Sequence, residues 1–192
     1  MIRLLAALAA ASAFGPPQAA AADLRVEELM RSLAQVRSRT ASFVERKHVA
    51  ILNAPLESSG TLVYTAPGRL EKHTAAPRAE SLVLDGDRLT VEDRGRGQSR
   101  TLALPEQPVI QAFVEGVRST LAGDLATLTR FYQVALDGNE RRWRLTLKPR
   151  EQPMQEFVSE VRISGSLDRI RTIEIVETGG DRSVMTITGN GA

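Results

Sequence analysis

The sequence predicts a mainly β protein with an α-helical lid: a curved antiparallel sheet of about ten or eleven strands, covered by an N-terminal helix and a mid-chain helical segment. Three observations predict it. Apolar residues recur with period two over most of the chain beyond residue 40. Short turns rich in Gly, Asp, Asn and Pro separate those runs, which favours neighbouring antiparallel strands over long crossovers. Helical spacing occurs in only two places, and a sheet of this size curls, so these helices are the apolar cover its concave face needs.

Leu24–Val36 is expected to be the first helix, with Leu29, Met30, Leu33 and Val36 at helical spacing. Strands are expected from about Thr40 to Ala50, then over Ser59–Thr65 and Arg69–Thr74 around the Ala66-Pro67-Gly68 turn. Glu80–Leu84 and Arg88–Glu92 flank Asp85-Gly86-Asp87, and Ser99–Leu104 follows a polar Gly-rich turn. Pro105 and Pro108 then precede a helix over Val109–Ala122, striped by Ile110, Phe113, Val114, Val117 and Leu121. Gly123 ends it, and Asp124 is placed to cap a short helix holding Leu125 and Leu128. Five more strands follow: Phe131–Leu136, Trp143–Lys148, Phe157–Ser164, Ile170–Glu177 and Ser183–Thr188, with hairpin turns expected at 137–139 and 178–181.

Residues 1–22 are expected to be a signal peptide and residues 23–192 one domain. Arg3 is the cationic start, Leu4–Phe14 the apolar run, and Ala20-Ala21-Ala22 the small-residue cleavage pattern. The apolar run is too short to span a bilayer, so export to a bacterial periplasm is the expected destination. Losing Arg3 takes 25 cations to 24, against 23 anions.

The chain has no cysteine and two histidines, which excludes disulfides, thiolate nucleophiles, iron–sulfur clusters and an acylated N-terminal Cys. No metal or other cofactor is expected. The arginines are spread along the chain, which argues against a nucleic-acid footprint. Ser164-Gly165-Ser166 lacks the G-x-S-x-G elbow, and the pairs Glu27/Glu28 and Asp85/Asp87 fall at a helix start and in a turn. Arg94-Gly95-Arg96-Gly97 has no interleaved aromatic residue, and no phosphate-binding loop occurs. An enzyme is not expected.

Ala41-Ser42-Phe43 after a first helix, Gly60-Thr61-Leu62-Val63-Tyr64, Pro67 followed by Leu70, and Glu80-Ser81-Leu82-Val83-Leu84-Asp85-Gly86 together resemble the LolA superfamily of periplasmic lipoprotein carriers and their relatives. Beyond about Leu89 the resemblance continues mainly as element order. It implies an unclosed, strongly curved half-barrel with helices as a lid over an acyl-chain cavity. Two features depart from the lipoprotein carriers. In these an Arg precedes the proline of the second β-turn and ties down the lid, whereas Ala66 stands here. Their tail beyond the last strand is replaced by Gly189-Asn190-Gly191-Ala192. The expectation is therefore a divergent branch carrying lipoprotein acyl chains or another lipid.

The expected function is a periplasmic carrier, acting as a monomer between an inner-membrane exporter and an outer-membrane acceptor. The alternative is a lipid- or peptide-sensing module on the same scaffold, and a small hydrolase is the weakest reading. The expected apolar wall comprises Phe43, Leu62, Tyr64, Leu70 and Leu82, met from above by Leu33, Ile110, Phe113 and Val117 and extended by Trp143, Phe157 and Val161. Lys72 lies two residues beyond Leu70, hence on the same strand face, where it either contacts an anionic head group or snorkels to solvent. Burial of one methylene contributes about 0.8 kcal/mol, so one long acyl chain gains on the order of 10 kcal/mol before binding costs.

Overall fold

The computed structural model describes residues 24–189. The expected signal peptide lies outside the described residues.

Helix α1 (Val26–Leu33) leads into β1 (Ser38–His48), β2 (Leu56–Thr65), β3 (Arg69–Ala76), β4 (Glu80–Asp85), β5 (Arg88–Asp93) and β6 (Gln98–Ala103). A short 3-10 turn (Leu104–Glu106), α2 (Pro108–Ala122) and α3 (Leu125–Phe131) follow. The chain then forms β7 (Tyr132–Asn139), β8 (Arg142–Pro149), α4 (Gln152–Gln155), β9 (Val158–Ser166), β10 (Arg169–Glu177) and β11 (Arg182–Thr188).

The described strands form one eleven-stranded sheet in the order β6-β5-β4-β3-β2-β1-β11-β10-β9-β8-β7. Every pairing is antiparallel. Two meanders are thus joined at their first and last strands. β1 walks outward to the β6 edge, α2 and α3 carry the chain to the opposite edge, and β7 walks back until β11 pairs with β1. The edges β6 and β7 do not pair, so the half-barrel stays unclosed.

β1 is long because it serves both meanders. It pairs with β2 from Ser38↔Thr65 to Lys47↔Leu56 and with β11 from Ser42↔Thr188 to His48↔Arg182. Its burial alternates strictly, with Arg39, Ala41, Phe43, Glu45 and Lys47 on the sheltered inner face.

The helix ends follow from local chemistry. Glu28 accepts a bond from the Arg25 backbone N–H at 3.1 Å and, with Glu27, places acidic charge at the positive end of α1. Pro108 opens α2, and Gly123 closes it at φ +68°. At Gly123 a Cβ would lie 2.2 Å from the Met30 carbonyl oxygen, so its hydrogen also lets α1 and α2 approach. Asp124 caps α3 as expected, accepting from Thr127 N–H at 2.9 Å.

The larger core joins α1, α2 and α3 to strands β7–β10, with Leu29, Leu33, Leu128, Tyr132, Leu145 and Ile163 almost fully buried. Tyr132 packs on Gly116 of α2 and donates its hydroxyl to the Ala112 carbonyl at 2.8 Å. Burial pushes that hydroxyl far above its ordinary pKa. A smaller cluster lies under the other side of α2 and joins Val114 to Leu84, Leu89 and Leu104.

Two local expectations are corrected. The turn expected at Asp137-Gly138-Asn139 sits at Glu140-Arg141, because Gly138 pairs with Trp143 inside the ladder and the Asn139 side chain accepts from Arg141 and Arg142 N–H. α4 was not expected, since four residues carry too little periodicity to read.

Candidate functional site

Cross-strand register arranges the inner face of the first meander into three rows. The row nearest α2 runs Tyr64, Leu70, Leu84, Leu89, Leu102. The next runs Leu62, Lys72, Leu82, Val91, Arg100, and the third Gly60, Thr74, Glu80, Asp93, Gln98. The face therefore grades from apolar to polar away from the lid. Tyr64, Leu84 and Leu89 are buried in the first row, Leu62 and Leu82 half-buried in the second, and Val91 is exposed. Ile110 and Val114 of α2 pack onto this side of the sheet.

α2 is fastened to the sheet through Arg118. Its Nη1 donates to the Gly86 carbonyl of the β4–β5 turn at 2.6 Å, and its Nε donates to Glu115 at 3.2 Å. A second guanidinium bond joins Nη2 to the same carboxylate, which also accepts from Ser119 Oγ at 3.3 Å. Glu115 is buried, so the charge needs these partners. Gly68 in the β2–β3 turn makes room for the arm: a Cβ there would lie 2.9 Å from Arg118 Cδ.

A polar cluster crosses the middle of the inner face. Glu45 accepts from Lys72 Nζ at 2.5 Å, across the intervening β2, and from Ser183 Oγ at 2.6 Å. The Lys72 ammonium also lies 5.0 Å from the centroid of the Phe43 ring. Burial alone would raise the Glu45 carboxyl, but the bonds from Lys72 and Ser183 outweigh it and hold the group below its ordinary value. At the same end, Lys47 donates to Glu177 at 2.9 Å, and that bond raises its ammonium pKa.

The expected wall residues divide between these regions. Leu70, Leu82 and Ile110 belong to the smaller cluster, whereas Leu33, Phe113, Trp143 and Val161 belong to the larger. Phe43 and Tyr64 are buried in the sheet between them, and Leu62 and Val117 are half-buried. Trp143 is packed solid, with its indole N–H donating to the Leu167 carbonyl at 2.8 Å and its ring against Gly165.

Phe157 corrects the expectation. It lies before β9 and is 56% exposed, because a register shift between Val176 and Glu177 sets Val158 opposite Glu177 and turns Val158 into the core instead. Lys72 does share the Leu70 face, but it is neither lone nor snorkelling: Glu45 partners it.

Sequence reasoning missed Glu45, Ser183, Glu115 and Arg118. Glu45 carried a readable signal, a carboxylate in phase with Phe43 on a strand otherwise reading as half-buried. On the outer face, Ser81 Oγ lies 2.9 Å from His73 Nδ1 and His73 Nε2 2.9 Å from Glu71, a nucleophile–base–acid chain the sequence reading did not see. Ser81 is only 3% exposed on a mid-strand position, which leaves its hydroxyl no room for an acyl substrate. Among the described residues, no group of three or more His, Asp or Glu could hold a metal ion, and no helix is long and apolar enough to cross a membrane.

The family model described as outer membrane lipoprotein carrier protein LolA-like matches residues 18–192. An outer-membrane lipoprotein carrier protein from Pseudomonas putida (strain GB-1) is 24% identical over 98% of this chain and 86% of its own length. The counterpart from Pseudomonas entomophila (strain L48) has the same identity and coverage. A solved domain from Vibrio parahaemolyticus, assigned to outer membrane lipoprotein sorting, shares the fold with a TM-score of 0.50 at 7% identity, over 84% of this chain and 88% of that one. With its unclosed eleven-stranded sheet under a helical cover, the chain belongs to the LolA-like family of outer membrane lipoprotein carrier proteins.

Proposed function

We propose that this protein is a periplasmic carrier that takes a lipid or acylated molecule from a donor at the inner membrane, holds its acyl chain between sheet and lid, and releases it to an outer-membrane acceptor. One observation carries the reading: the two sides of α2 are packed differently. The β7–β10 side holds the larger buried cluster, ringed by partly buried residues such as Phe113 and Val134, which suits a permanent foundation. By contrast, the buried set on the other side is only Leu84, Leu89, Leu104 and Val114. On the β2–β6 side Leu70, Leu82, Leu102 and Ile110 are only partly buried, and the adjoining row is half open.

An acyl chain entering there lies along Leu62, Leu70 and Leu82 beneath Ile110 and Val117, with Phe113 facing the foundation. It replaces partial exposure by apolar contact, at about 25 cal/mol per Å² of apolar surface removed from water. Leu33, Trp143 and Val161 brace the lid from the other side. The polar head faces the outer rows, where Lys72 uses one ammonium donor on Glu45 and keeps the others for a phosphate or carboxylate. Release follows from displacement of α2, whose fastening to the β4–β5 turn is a single arginine arm.

Native mass spectrometry of the processed protein, followed by extraction of bound lipid, tests this. A bound acylated species, or saturable uptake of a fluorescent fatty-acyl probe, is expected. Absence of both overturns the carrier reading.

A further inference from the structure

We propose that the end of the half-barrel formed by the β7–β8 and β9–β10 turns docks on the surface of an anionic phospholipid bilayer. Arg141, Arg142 and Arg144 from the first hairpin, with Arg169 and Arg171 from the second, are all exposed there. Four of them line an open cleft of about 500 Å³ that also holds Ser164, Ser166 and Asp137. Among the described residues none of the five makes an ion pair, and the opposing charges within the patch are Asp137, Glu140 and Asp168, the last of them paired with Arg39. Further along β9 and β10, and on the neighbouring β11, the pattern is different. Arg162 and Arg182 are neutralised by Glu174, and Arg162 also by Glu160.

Leu167 adds an apolar tip to this basic surface. It is 56% exposed and occupies the left-handed region at φ +53°, where Gly or Asn is the ordinary choice. Four bonds hold the turn in that shape, two of them from Arg39, whose Nη1 also donates to the Asp168 carbonyl at 2.6 Å. Leu167 N–H donates to the Glu140 carbonyl at 2.6 Å, Trp143 donates to the Leu167 carbonyl, and Arg39 donates to Asp168 at 2.7 Å. A strained, pinned leucine directed into solvent calls for an apolar medium to receive it. Arginines around it match lipid phosphates, and an acidic protein surface would leave the leucine without a role. The exposed pair Ile51 and Leu52 at the opposite end lacks this match, because Arg46 and Lys47 beside it are paired with Glu57 and Glu177.

The test is co-sedimentation of the processed protein, its N-terminus read by mass spectrometry, with vesicles of phosphatidylglycerol in phosphatidylcholine and of phosphatidylcholine alone. Binding to the anionic vesicles only, weakening as salt is raised, is expected. Arg141→Ser and Arg144→Ser each lower it about fivefold. Leu167→Asn, which suits the left-handed backbone, lowers it while leaving the fold unchanged by circular dichroism, and Ile51→Ser leaves binding intact. Equal binding to both vesicles, indifference to the arginine and Leu167 variants, or salt-sensitive binding to polyglutamate without binding to vesicles overturns the proposal.

Discussion

Arg118 on the lid helix reaches the Gly86 carbonyl on the sheet at 2.6 Å. The residue before the β2–β3 turn proline is Ala66, which has no side chain long enough to reach the lid, so the arm comes from the helix. The polar connection between lid and sheet in this chain therefore has its donor on the helix. Glu115, one turn earlier on the same helix, accepts from the same guanidinium.

Replacing Arg118 by Met strands the buried Glu115 charge and removes the bond to Gly86. The expected cost is about 3 kcal/mol in urea unfolding. Adding Glu115→Gln to Arg118→Met recovers part of that loss, since the stranded charge is gone. A double variant as unstable as the single one contradicts this reading of the pair. Both variants should take up an acyl probe faster than the wild type in stopped-flow measurements.

The Glu45–Lys72 pair predicts a specific dependence on pH. The Glu45 carboxyl is held below its ordinary 4.5 in the folded chain. Its contribution to stability is therefore complete above that value and lost as pH falls through the lower folded-state pKa. In Lys72→Met the burial that opposes ionisation prevails, and the carboxyl rises. The stability gap between wild type and variant should then narrow on acidification from pH 7 towards pH 4, followed by chemical denaturation. A gap that widens rules the pairing out. The same variant should lose affinity for anionic more than for neutral lipid.

Two glycines with similar backbone angles separate conformation from packing. Gly86 and Gly123 have φ of +56° and +68°, but a Cβ at Gly86 meets nothing within 4 Å. Gly86→Ala should cost about 1 kcal/mol. Gly123→Ala should cost clearly more, since it also drives a methyl into the Met30 carbonyl and separates α1 from α2. Equal melting temperatures would show that this contact does not hold the lid.

The two sides of α2 also predict different responses to truncation. Leu145, fully buried, should lose about 3 kcal/mol on conversion to Ala, with little effect on acyl-probe affinity beyond that. Leu82, half-buried, should cost less in stability, and Leu82→Trp should occupy the proposed acyl position and lower probe affinity with the fold intact. Paired thermal melts and probe titrations distinguish them.

Most of the fold was legible because its elements are local. Period two was readable along the later strands, and Pro108 with Gly123 marked the lid. By contrast, β1 alternates only loosely in sequence, although its burial alternates at every step. The junction of β1 with β11 was not legible. It pairs residues at opposite ends of the chain, and no local pattern sets it. The Glu45–Lys72 bond was hidden for a related reason, as it spans a third strand. Phe157 was misplaced because one register shift reverses the faces upstream of it, and alternation carries no mark of such a shift. Where apolar residues are packed shut and where they are half open depends on how α2 crosses the sheet, which periodicity leaves undetermined.

The central claim is that cargo enters beneath α2 on the β2–β6 side. The chain has no native cysteine, so a pair introduced at Val114 and Leu84, members of one cluster, can lock the lid to the sheet through a disulfide or a short thiol crosslinker. The decisive measurement is acyl-probe binding by the locked protein and, for the disulfide, by the same sample after reduction. The account predicts no uptake while locked and recovery on reduction. Equal binding in both states would place the cargo elsewhere and contradict it.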